Sequence, residues 1–98
     1  SVLPILDDID RTLNLKDVKN NKSIFDGFSM IRSKIVNLLE LKDIEIYNSL
    51  DESFNPEFHE AIMMKKTKKD SNIVIEEYEK GYMYKDKVLR HAKVVVSE

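Results

Sequence analysis

The chain has 98 residues, of which 35% are charged, and its formal net charge is only -2. Because acids and bases nearly cancel, we expect no overall electrostatic attraction to nucleic acid or to a membrane surface. The absence of cysteine excludes disulfides, Cys-based zinc sites and thiol nucleophiles. No apolar run is long enough to cross a bilayer, and the start does not resemble a signal peptide. The chain opens on Ser1 rather than methionine, so we expect a piece of a longer protein.

The first predicted element is an amphipathic helix. Its apolar residues recur at steps of four, three and four, at Val2, Leu6, Ile9 and Leu13. Pro4 fits the first turn of such a helix. The polar residues 16–23 that follow indicate a loop.

The second predicted helix has the clearest periodicity in the chain. It starts at Ser23 as the N-cap, and its apolar stripe consists of Ile24, Phe28, Ile31, Ile35 and Leu38. Gly27 lies inside this stripe, where glycine costs about 1 kcal/mol relative to alanine, so we expect a close packing contact there. Two helices bury little surface, so the pattern predicts a homodimeric four-helix bundle.

The periodicity changes near residue 43 from helical to alternating. Ile44–Tyr47 alternates as a half-buried strand does, and Asn55 with Pro56 indicates a turn. Short apolar runs farther along predict a small antiparallel β unit of five or six strands. We therefore predict an α+β chain, with a helical hairpin over residues 1–42 and a small β domain over residues 43–98.

Few residues offer catalytic or metal-binding chemistry. Asp7, Asp8 and Asp10 form an acidic cluster that is more typical of a solvated helix face than of an acid–base pair or a metal site. His59 and His91 show no ligand spacing, and His59 is expected to form a local hydrogen bond at a turn. No nucleophile elbow or phosphate loop is present. We therefore predict no enzyme activity, no metal and no cofactor.

A basic run and three methionines complete the candidate features. The run contains Lys65, Lys66, Lys68 and Lys69 and is interpreted as a flexible hairpin loop. The alternative is a small nucleic-acid-binding module that uses this loop. Met63, Met64 and Met83 could form an adaptable binding surface, but core filling is favoured for two of the three.

Three segments, in the same order and spacing, resemble the GrpE family. Residues 3–13 resemble its Leu-Pro-x-x-Asp-x-Leu-Asp-Arg-Ala-Leu helix, and residues 53–62 resemble its Pro-Phe-Asp-Pro-x-x-His-Glu-Ala-Val entry to the β domain. Residues 80–94 resemble its Lys-Gly-Tyr-x-Leu-Asn-Asp-Arg-Val-Leu-Arg-Pro-Ala-x-Val tail, the most specific of the three. The chain departs from the family at Lys87, where arginine is usual, at His91, where proline is usual, and at Asp43, where glycine is usual.

The resemblance implies a nucleotide exchange factor for a DnaK-type chaperone. Such a homodimer binds the chaperone's ATPase domain, opens its nucleotide cleft and promotes ADP release. Carried over to this chain, the chaperone-binding residues are Lys87, Arg90 and Val96 in the β domain and Arg11 and Leu15 in the helices. The implied location is the bacterial cytoplasm, or the mitochondrial matrix or plastid stroma if the source is eukaryotic. No nucleic-acid or membrane partner is implied.

Overall fold

The chain divides into two compact units, Ser1–Lys42 and Asp43–Glu98, of which the computed structural model describes residues 2–98. The first unit contains three helices, α1 (Leu3–Leu13), α2 (Lys16–Lys19) and α3 (Lys22–Glu40). The second contains six strands: β1 (Ile44–Tyr47), β2 (His59–Lys65), β3 (Val74–Glu79), β4 (Gly81–Tyr84), β5 (Lys87–Arg90) and β6 (Ala92–Ser97). The α+β class predicted from the sequence is confirmed.

Helix α1 forms as its apolar spacing predicts. Pro4 lies in the first turn, where its missing N–H costs nothing. Leu6 and Ile9 are buried. The acidic cluster is less solvated than expected, because Asp7 is buried and Asp10 accepts a 2.6 Å hydrogen bond from Arg32 Nε on α3.

Two predictions for the segment between α1 and α3 are wrong. Residues 16–19 form the one-turn helix α2 rather than a loop, and its backbone is closed by Lys19 N–H donating to Leu15 O at 2.9 Å. The N-cap of α3 is Asn21 rather than Ser23, because the Asn21 side chain accepts a 3.2 Å hydrogen bond from Ile24 N–H. Asparagine and serine are similarly good caps, so sequence preference alone could not rank the two positions.

The second unit consists of two three-stranded sheets, ordered β1-β4-β5 and β2-β6-β3. The prediction of a purely antiparallel unit is wrong, because β2 pairs with β6 in parallel, with His59 opposite Ala92. The other strand pairs are antiparallel. The core lies on β3 and β6 and contains Val74, Ala92, Val94 and Val96, with Tyr47 and Phe54 packed against it.

The predicted packing of the methionines is corrected as well. Met63 and Met64 on β2 are 52% and 58% exposed, and only Met83 on β4 is partly buried. Both methionines lie on β2, an edge strand with a neighbour on one side only. Edge position alone does not expose a side chain, because Val74 on the other edge strand, β3, is buried. Within residues 2–98, no helix combines the length and apolar character needed to cross a membrane.

Candidate functional site

The β4–β5 hairpin carries the motif with the most specific family resemblance. Tyr84 pairs with Lys87, so Lys85 and Asp86 form the two-residue turn that the sequence predicts. Lys85 adopts a left-handed backbone with φ 52°, and its ammonium lies 5.4 Å from the Tyr84 ring centroid. Strand β4 is held on its other side by β1, which fixes the base of the hairpin within its sheet.

Lys87 is the most available cation of this hairpin. Its side chain is exposed, and it forms no hydrogen bond or ion pair within residues 2–98. Two apolar side chains, Tyr84 and Leu89, are also exposed on the same two strands. An unpaired ammonium beside apolar surface can pair with a carboxylate on a partner without first breaking a bond of its own.

Arg90 has a different environment from Lys87. Its Nη2 and Nε donate to the carbonyl oxygen of Lys80 at 2.6 and 3.2 Å, and its guanidinium stacks over the Tyr82 ring at 4.9 Å. Its Nη1 also lies 3.9 Å from Glu79 Oε1. These contacts show that Arg90 ties the end of β5 to the start of β4, so the hairpin's shape depends on it.

Val96 is placed in the core rather than on the surface. It is 2% exposed, and it pairs with Val74 on β3 and Met64 on β2. Its side chain therefore supports the sheet and is not available for contact with a partner in this conformation.

Tyr47 and Gly81 form a packing contact that the sequence analysis missed. The Tyr47 hydroxyl donates to Phe58 O and accepts from Ala92 N–H at 3.1 Å. A Cβ atom at Gly81 would lie 2.6 Å from Tyr47 Cε1 and closer still to the end of the ring. The available signal was that Gly81 is one of only two glycines in the chain.

The residues predicted on the helical unit lie at its surface. Arg11 forms an ion pair with Asp8 one turn earlier, and both side chains are largely exposed. Leu15 is exposed between α1 and α2. The structure therefore leaves Leu15 as uncovered apolar surface, whereas Arg11 already has a weak partner.

The apolar stripe of α3 is incompletely buried within the described chain. Ile24, Ile31 and Leu38 are exposed, Leu38 to 61%, and Phe28 and Ile35 are partly buried. Gly27 lies beside Ile24, Phe28 and Ile31 at a shallow depression. No atom of the described residues lies within 4 Å of where its Cβ would be, so nothing within residues 2–98 fills the space at this glycine.

His59 forms the local hydrogen bond that the sequence predicts. Its Nδ1 accepts from Asn55 N–H at 3.0 Å, which closes the turn before β2 and leaves the ring proton on Nε2. Burial lowers the pKa of His59 below 6.5, and this effect outweighs the raising effects of Glu77 and Glu52. The ring lines a cleft of about 350 Å³ beside Tyr47 and Phe58. Residues 2–98 contain no group of three side chains suited to hold a metal ion.

Comparison with known proteins identifies the family. The GrpE family profile matches residues 1–98. The chain is 39% identical over 98 residues to Protein GrpE of Carboxydothermus hydrogenoformans, and the match covers 99% of this chain and 50% of that protein. It is 35% identical over 99 residues to Protein GrpE of Bacillus velezensis, which covers 99% of this chain and 52% of that protein. The chain belongs to the GrpE family. It spans about half the length of the curated relatives it matches.

Family membership confirms the resemblance found in the three motifs. It also bears on the backbone conformation of Asp43. The residue stands where the GrpE pattern has glycine, and it adopts φ 63°, the left-handed region that glycine favours. Its carbonyl oxygen accepts from Lys85 N–H at 3.2 Å. The chain thus keeps a left-handed residue at this point without glycine, using a residue type that tolerates the conformation at some cost.

Proposed function

We propose that this chain is the bundle and β-domain part of a nucleotide exchange factor for a DnaK-type chaperone. The observation that carries the proposal is the GrpE family match over the whole chain. The accessible Lys87 on the family's tail hairpin supports it. Residues 43–98 are the part proposed to bind the chaperone's ATPase domain, and residues 1–42 are the part proposed to form the dimer.

The proposed mechanism requires only differential binding. A factor that binds the open ATPase domain more tightly than the closed one shifts the equilibrium by that difference in free energy, and bound ADP then leaves. Lys87 supplies the charge for pairing with carboxylates on the chaperone, and Tyr84 and Leu89 supply adjacent apolar contact. Arg90 holds the hairpin in shape for this contact.

Release of a fluorescent ADP analogue from the chaperone, followed by stopped flow, tests this function. The protein is expected to accelerate release, and Lys87→Glu is expected to reduce the acceleration by about tenfold or more, since charge reversal turns attraction into repulsion. Lys19→Glu is the matched control, because Lys19 is also exposed but lies on α2. Failure of the unmodified protein to accelerate release would refute the exchange function. If Lys87→Glu accelerates release as much as the unmodified protein does, Lys87 is excluded as a chaperone contact and the exchange function itself is unaffected.

The second part of the proposal is a homodimer in which a second copy covers the α3 stripe. Four helices from two chains would bury Ile31 and Leu38, which this chain leaves exposed. Two backbones could then approach each other closely at Gly27, where the chain's own atoms leave space. Sedimentation equilibrium is expected to give a dimer that Leu38→Asp dissociates. A monomer at all concentrations would contradict the arrangement for this chain.

Nucleic-acid binding by the lysine run is not favoured. Lys69 is paired with Asp51 at 2.6 Å, and Lys65 lies 3.9 Å from Glu76. Half of the run's charge is therefore already partnered by acids, and no aromatic side chain is interleaved for stacking on bases.

A further inference from the structure

Strand β2 carries an apolar surface that the proposed exchange function does not use. Every residue from Glu60 to Lys65 is exposed, although the strand belongs to a sheet. Three consecutive large apolar residues, Ile62, Met63 and Met64, are 42%, 52% and 58% exposed. The strand lies at the edge of the β2-β6-β3 sheet, whereas the Lys87 hairpin belongs to the other sheet. Successive residues of a strand point to opposite faces of its sheet, so Met63, which pairs with Val95, and Met64, which pairs with Val96, lie on the two sides of the free edge of β2. Exposed apolar side chains along both sides of one edge mark an interaction surface.

The end of β2 leads directly into positive charge. Lys65 and Lys69 have acidic partners. Lys66 and Lys68 are exposed and form no hydrogen bond or ion pair among residues 2–98. An apolar strand that ends beside two free ammonium groups complements a partner in which apolar side chains lie next to carboxylates.

The strand's irregular backbone indicates how such a partner would be held. The pairing of β2 with β6 shifts register between Ala61 and Met63, so the strand bulges at Ile62. A bulge and lysines are features that discourage another strand from pairing with a sheet edge. Contact through side chains is therefore favoured over added backbone hydrogen bonds, and methionine side chains adapt readily to a partner's shape.

We propose that Ile62, Met63, Met64, Lys66 and Lys68 form a docking surface, the β2 patch, for an acidic apolar peptide segment of another protein. The segment runs along the free edge of β2, where its apolar side chains pack on Met63 at one face and on Met64 at the other, and its carboxylates pair with Lys66 and Lys68. This surface is separate from the Lys87 hairpin, so the two proposals can fail independently.

Fluorescence anisotropy with a synthetic peptide tests the β2 patch. The probe is a short fluorescein-labelled peptide in which leucine and glutamate alternate, and a second peptide with lysine in place of glutamate is the charge control. The chain is expected to bind the glutamate peptide, with affinity that falls as salt rises, and to bind the lysine peptide at least about tenfold more weakly. No binding of the glutamate peptide, or equal binding of both, would overturn the proposal.

Matched variants locate the binding. Met63→Ser combined with Met64→Ser, and Lys66→Gln combined with Lys68→Gln, are each expected to weaken binding by about tenfold. All of these side chains are exposed, so tyrosine fluorescence is expected to show an unchanged fold. Controls are Met30→Ser on α3 and Lys16→Gln on α2, both at exposed positions. If the control variants lose as much peptide affinity as the patch variants do, the assignment of binding to the β2 patch is overturned.

Two other occupants are distinguishable in the same experiments. A labelled single-stranded DNA that binds more tightly than the peptide and is released by Lys66→Gln with Lys68→Gln would replace the peptide proposal with a nucleic-acid site. A fall in the oligomeric state with Met63→Ser and Met64→Ser, measured by sedimentation, would assign the surface to a second copy of the chain instead.

Discussion

Replacement of Gly81 by alanine should destabilise the β unit strongly. The added methyl carbon would lie 2.6 Å from Tyr47 Cε1, well inside van der Waals contact, and closer to the rest of the ring's end. The ring cannot move without losing the hydrogen bond that its hydroxyl accepts from Ala92 N–H at 3.1 Å and the one it donates to Phe58 O. Overpacking costs about 1–3 kcal/mol, and a buried amide left without a partner costs about 1–3 kcal/mol more. We therefore expect a loss of about 2–6 kcal/mol.

Urea unfolding followed by tyrosine fluorescence measures this loss of stability for the β unit. All four tyrosines lie in residues 43–98, so the signal reports the β unit alone. With a urea dependence of about 1–2 kcal/mol per molar for a unit of this size, the transition midpoint should fall by about 1 M or more. Gly27→Ala is the matched control, since a Cβ there meets no atom of the described residues, and it should leave the tyrosine transition unchanged.

A double-mutant cycle separates the clash from other effects of alanine. Tyr47→Leu shortens the side chain that the new methyl group would meet, so Gly81→Ala should cost less than about 1 kcal/mol in that background. A Gly81→Ala midpoint within about 0.3 M of the original would refute the reasoning. An equal cost in both backgrounds would show that Tyr47 is not the cause.

Two further predictions concern the turn before β2 and the start of α3. Because burial lowers the folded pKa of His59 below 6.5, its contribution to stability is complete above that pH and is lost as pH falls toward the folded pKa, at up to about 1.4 kcal/mol per pH unit. Tyrosine-monitored unfolding between pH 7 and 5 should show this loss. His59→Gln should reduce the dependence of the unfolding free energy on pH. If that dependence persists in His59→Gln, His59 is not its cause. Asn21→Ala removes the side-chain cap that Ile24 N–H uses and should cost about 1 kcal/mol of helical-unit stability, measured by far-ultraviolet circular dichroism. No change in the thermal midpoint would contradict the cap assignment.

Local chemistry predicted the elements of this chain better than their arrangement. Ile44–Tyr47 forms β1 with the predicted bounds, because alternation of apolar and polar residues is the pattern of a strand with one buried face. The parallel pairing of β2 with β6 could not be predicted the same way. Their partners are set by a core that joins residues far apart in sequence, such as Val74 and Val96, and periodicity describes only one strand at a time.

The candidate site was predictable where a motif carried it and not where packing decided it. The Lys85–Asp86 turn and the exposure of Lys87 follow from hairpin chemistry. Val96 was expected to contact a partner, yet its side chain lies in the core, because a β-branched residue in a central strand packs on its neighbours. The exposure of Met63 and Met64 was missed for the opposite reason, since apolar character does not reveal which strand of a sheet is left uncovered.

The chain's two glycines support different conclusions for the same physical reason. Glycine allows close approach, and at Gly81 the chain's own Tyr47 ring takes the space of a side chain. At Gly27 the equivalent space is open, although a helix-interior glycine costs about 1 kcal/mol relative to alanine. Exposed Ile24 and Ile31 flank that opening. If a second copy approaches there, Gly27→Ala should stabilise an isolated helical unit and weaken the dimer. Stronger association of Gly27→Ala, measured by sedimentation, would exclude close packing at this position.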